Sequence, residues 1–61
     1  MSKKQEYKQT ILIADDSEMN RAILTDMLED EYIILEAEDG VEAVSILQKH
    51  ENEISAVLLD I

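Results

Sequence analysis

The chain contains no cysteine, so no disulfide and no thiolate-bound metal can staple it, and nothing in it calls for an oxidising compartment. It has no proline and a single glycine, Gly40; no glycine-rich loop is available to cradle a phosphate. Its apolar runs reach about four residues, far short of the ~20 needed to cross a bilayer. The opening residues are polar and lack the apolar stretch of a secretory signal, so a cytoplasmic location is expected. Bases are scarce: five lysines and arginines stand against fifteen acids, a net charge of −10. Nucleic acid and anionic membranes both require a positive footprint, so neither is expected as a direct partner. No EF-hand spacing, zinc pattern, Ser-His-Asp set or internal repeat occurs.

What remains is a chain of 61 residues, 46% of them hydrophobic. That is too apolar for a disordered segment and long enough for one small domain, burying only about 60% of its unfolded surface. Residues 1–9 read as a polar arm. Thr10 to Ala14 reads as a strand, apolar on both sides, followed at once by Asp15 and Asp16. Ser17 then reads as a helix N-cap. Met19, Ala22, Ile23, Leu24, Met27 and Leu28 recur at helical spacing, with Met19 and Met27 as core filler and Arg21 on the solvent face. Three acids, Glu29 to Glu31, close that helix against its dipole, so fraying is expected there.

Tyr32 to Ala37 reads as a second strand, less apolar than the first. Glu38-Asp39-Gly40 reads as a turn, with Gly40 placed there for the turn. Asp39 and Glu42 have capping-box spacing, and a second helix runs from about Val41 to His50. Lys49 and His50 suit its last turn. A polar link leads to Ala56-Val57-Leu58-Leu59, a strand ending at Asp60.

The order β-α-β-α-β implies parallel strands joined by right-handed crossovers. Strand order 1-2-3 would separate Asp60 from Asp15 and Asp16. Order 2-1-3 would make a switch point with a crevice at the carboxyl ends of strands 1 and 3. The more apolar character of those two strands favours 2-1-3. Three carboxylates brought together either couple their titrations or share a cation. Hard oxygen donors that leave room for water suit Mg²⁺, and a carboxylate beside Mg²⁺ and an open crevice can act as a nucleophile towards phosphorus. Solvated turn acids and helix caps are the plain alternative.

The stretch Ile11-Leu-Ile-Ala-Asp15-Asp16-Ser17-Glu-Met-Asn20-Arg21, the turn Glu36-Ala-Glu-Asp39-Gly40 before Val41-Glu-Ala-Val44, and Ala56-Val-Leu-Leu-Asp60 together resemble the receiver domain of two-component response regulators. The likeness covers residues 10–61 and implies the N-terminal half of a flavodoxin-like doubly wound sheet. It implies further that Asp60 accepts the phosphoryl group. Asp16 would bind Mg²⁺ directly, Asp15 largely through water, and Asp60 would be a third ligand. The phosphodonor it implies is the phosphohistidine of a sensor histidine kinase or phosphotransfer protein, so the chain is expected to be an acceptor rather than an enzyme. Strand 3 would be an apolar edge of the kind that recruits another strand, and a homodimer through it is the simplest closed route. A self-associating unit without phosphoryl chemistry is therefore the second expectation. A metal-dependent hydrolase is a distant third, because so short a chain shows no substrate pocket.

Overall fold

The computed structural model describes residues 8–60. The elements follow in the order β1 (Gln9–Asp15), α1 (Glu18–Leu28), β2 (Tyr32–Ala37), α2 (Gly40–Lys49) and β3 (Ile54–Asp60). Most of the polar arm expected at residues 1–9 lies outside the described residues. Its last residue, Gln9, already belongs to β1, opposite Tyr32.

All strands are parallel, and the sheet order is β2-β1-β3. This is the flavodoxin-like half-fold with the 2-1-3 order. β1 holds the centre, where both strand edges are covered, and it is the most buried of the three strands. Ile11 to Asp15 are buried without a break. Side chains alternate between sheet faces, and the ladder fixes which residues share one. Leu12 and Ala14 lie level with Leu35 and Ala37 of β2 and with Val57 and Leu59 of β3. On that face α2 supplies Ala43, Ile46 and Leu47 to a core built on Leu12 and Ala14. The opposite face carries Ile11, Ile13 and Asp15, with Glu36 and Asp60 level with Ile13 and Asp15. There α1 reaches Glu36 through Arg21 and Thr25. The helices therefore cover opposite faces, as two right-handed crossovers running in opposite directions require.

Both helix starts are capped as their sequences imply. The Ser17 hydroxyl accepts from the Asn20 N–H at 3.2 Å. The Asp39 carboxylate accepts from the Glu42 N–H at 2.8 Å, and Glu42 in return accepts from the Glu38 N–H at 2.7 Å. The acid-rich end of α1 carries a compensating cation: Lys8 Nζ donates to the Glu29 carbonyl at 3.5 Å. His50 is the C-cap of α2, and its Nδ1 lies 2.6 Å from Glu53.

Three local expectations are corrected. The inward stripe of α1 is Arg21, Leu24, Thr25 and Leu28, not the methionine stripe; Met19 is 73% and Met27 70% exposed. Arg21, expected on the solvent face, has a side chain only 13% exposed. Gly40 opens α2, and no described residue has positive φ, so its left-handed freedom goes unused.

The third strand is longer than its apolar run. It begins at Ile54, which pairs with Thr10, and Ala56 then pairs with Ile11, leaving Ser55 as the extra residue of a bulge. β3 is a sheet edge, and Val57, Leu58 and Leu59 are exposed. Between β3 and α2 lies an open groove of about 540 Å³, lined by Val44, Leu47, Ile54 and Val57 among others.

Candidate functional site: an acidic corner at the carboxyl end of the sheet

β1 and β3 end together. Asp15 is the last residue of β1 and Asp60 the last of β3, and the two are partners across the parallel ladder. Neighbouring strands run about 4.8 Å apart, and paired residues share a face, so the acids at positions 15 and 60 stand side by side. No strand intervenes. Asp16 follows in an exposed bend between β1 and α1.

The two strand-end acids differ in environment. Asp15 is 3% exposed, the one buried charged residue among the described residues, whereas Asp60 is exposed. A buried carboxylate is costly unless hydrogen bonds or a counter-charge offset its lost hydration. One oxygen, Oδ1, accepts from the Ser17 N–H at 2.8 Å. That bond turns the chain sharply out of β1 and into the N-cap of α1. The start of a helix also carries partial positive charge, which favours acids at this corner.

The corner is pinned from a second side. Arg21 Nη1 donates to the Asp15 carbonyl at 2.6 Å, and Arg21 Nε donates to Glu36 Oε1 at 3.1 Å. The other Glu36 oxygen accepts from the Thr25 hydroxyl at 3.3 Å. A continuous run of polar contacts thus links β2, α1 and the last peptide of β1. In the sequence Glu36 stands as the charge that makes the second strand less apolar than the first and as the start of the turn stretch. Its role as a partner for Arg21, the chain's one arginine, escapes a reading based on apolar periodicity. The available signal was a lone charge within a strand and a lone arginine in a very acidic chain.

All donors in the corner are hard oxygens. Among the described residues, no group of three or more acidic or histidine side chains stands together at metal-ligand spacing. What the corner offers a cation is a buried carboxylate whose Oδ2 has no hydrogen-bond donor among the described residues, with exposed Asp60 across the ladder and exposed Asp16 next in the chain. An incomplete oxygen shell left open to water fits Mg²⁺, which keeps several waters and takes one or two carboxylates.

A parallel β2-β1-β3 sheet with helices on both faces and acids closing β1 and β3 is the arrangement of a flavodoxin-like half-fold with its carboxyl-end crevice. The chain is 42% identical over 52 residues to the chemotaxis protein CheY of Halobacterium salinarum, a receiver-domain response regulator. The match covers 84% of this chain and 42% of that protein, so the chain spans less than half the length of the relative it matches. That identity supports a receiver-domain fragment, and the fold matches a flavodoxin-like half-sheet. No family model matches the chain, and no solved structure matches it. Among the described residues, no helix is long and apolar enough to cross a membrane.

Proposed function

We propose that the chain carries the phosphoacceptor part of a response-regulator receiver. In this reading a phosphohistidine of a sensor histidine kinase or phosphotransfer protein donates its phosphoryl group to Asp60. A carboxylate oxygen of Asp60 attacks phosphorus, the new P–O bond forms as the P–N bond breaks, and the imidazole leaves and takes up a proton. The product is an acyl phosphate. Asp15, Asp16 and Asp60 would hold Mg²⁺, which when bound neutralises the acids and the phosphoryl oxygens. The chain's own contribution is to present Asp60 at an exposed strand end and to keep Asp15 fixed and dry beside it. The protein is then a substrate of its kinase rather than an enzyme, and a cytoplasmic location goes with that role.

The observation that carries this reading is the pairing of Asp15 with Asp60 at the carboxyl ends of adjacent parallel strands. The test is intact-mass spectrometry after treatment with a small acyl phosphate and Mg²⁺. One phosphoryl group should be gained, and the gain should vanish in Asp60→Asn and on chelation of Mg²⁺. No gain at saturating donor, or an undiminished gain in Asp60→Asn, would refute it.

A second reading has its own support. β3 is an edge whose apolar side chains are exposed on both faces, and such an edge pairs readily. In that reading the chain is an assembly unit that joins a second copy through β3 without phosphoryl chemistry. Sedimentation velocity separates the two. Concentration-dependent dimers indifferent to Asp60→Asn favour assembly, and a monodisperse monomer excludes it.

A further inference from the structure

We infer that Arg21 is the positioning residue of the acidic corner, resting its functional side on the receiver reading above. Its side chain is 13% exposed and lies beneath the sheet end rather than in solvent. One arm of the guanidinium is anchored on Glu36 at 3.1 Å, and the other holds the Asp15 carbonyl at 2.6 Å. The Arg21 N–H also donates to the Ser17 carbonyl at 3.0 Å. The residue therefore grips both ends of the Asp15-Asp16-Ser17 turn, one with its side chain and one with its backbone. Thr25 holds the far oxygen of Glu36, so the anchor is itself braced.

Charge and geometry make opposite demands here, which separates the two roles. As a positive charge near a cation site, Arg21 opposes Mg²⁺ binding. As a clamp, it favours binding by fixing the direction in which Asp15 and Asp16 leave β1. The planar, multi-donor head holds a carboxylate and a carbonyl in two fixed directions at once. Lysine is a flexible point charge and cannot reproduce it. Arg21→Lys therefore keeps the charge and removes the clamp.

The test uses the whole chain, labelled with ¹⁵N, and two readouts. Without metal, backbone relaxation at Asp16 and Ser17 reports how firmly the turn is held. With Mg²⁺ added, amide shifts at the corner report affinity. Arg21→Lys should loosen both amides and weaken Mg²⁺ binding about tenfold, the usual size for a group that orients a ligand. Ala43→Gly, which weakens α2 on the other face, should change neither. A firm turn with affinity within twofold of wild type in Arg21→Lys overturns the proposal, as do equal changes in Ala43→Gly. Should Arg21→Lys fail to fold, Glu36→Gln decides by the same two readouts. If the wild-type chain takes neither Mg²⁺ nor a phosphoryl group, the receiver function falls. The metal-free relaxation then still judges the clamp.

Discussion

Truncating a leucine at two places in the same sheet should have very different costs. Leu12, in the middle of β1, is 0% exposed; Leu59, near the end of β3 and on the same sheet face, is 67% exposed. Leucine to alanine removes roughly three carbon groups at about 0.8 kcal/mol each. At Leu12 the whole of that is lost, and the cavity left behind raises the cost to about 3–5 kcal/mol. At Leu59 only a third of the side chain is covered, so the loss is about 0.8 kcal/mol. A single core in a domain this small rarely supplies more than about 3–5 kcal/mol. Leu12→Ala should therefore be largely unfolded at 25 °C, while Leu59→Ala keeps a cooperative transition with a slightly lower midpoint. Urea titrations followed by circular dichroism at low micromolar protein provide the comparison. Equal destabilisation by the two variants at that concentration would sink the reasoning. A cost at Leu59 that grows with protein concentration would mean that a second chain covers β3.

Other expectations follow from the same packing. Ser17→Ala and Asp39→Ala each remove a helix N-cap and should lower stability by about 1 kcal/mol, read from urea midpoints at unchanged slope. Met19→Gln and Met27→Gln replace exposed side chains on α1 and should stay within about 0.5 kcal/mol of wild type in the same assay, whereas Leu28→Ala on the half-buried stripe should cost more than either.

Much of this architecture was legible because several local signals agreed. Strands 1 and 3 were apolar on both faces while strand 2 carried a glutamate, and the acids fell where a 2-1-3 sheet has its switch point. Ser17 and Asp39 announced the helix starts through side-chain chemistry that acts within a few residues and needs no tertiary knowledge. The misreadings share a different origin. The first helix has two stripes with apolar character, and periodicity cannot say which one the sheet covers. Leu24 and Leu28 lie on the covered stripe with Arg21 and Thr25, whereas Met19, Ile23 and Met27 lie on the other. On the covered stripe the guanidinium and the Thr25 hydroxyl both meet Glu36, a residue on another strand, a partnership that periodicity does not carry. The pairing of Asp15 with Asp60 was anticipated from topology. The burial of Asp15 and its grip by Arg21 were not, because they depend on contacts between residues six and fifteen positions apart in sequence.

The spare residue in β3 has a consequence for how this fold tolerates change. A one-residue slip in a strand turns every later side chain to the opposite face. Such a slip running the length of β3 would carry Asp60 away from Asp15. Here the offset is confined to the step from Ile54 to Ala56, and the ladder above it runs without interruption to the final pair. Ser55 thus acts as slack in the thread. The connection from α2 can gain or lose a residue at the base of β3, and the terminal aspartates stay aligned.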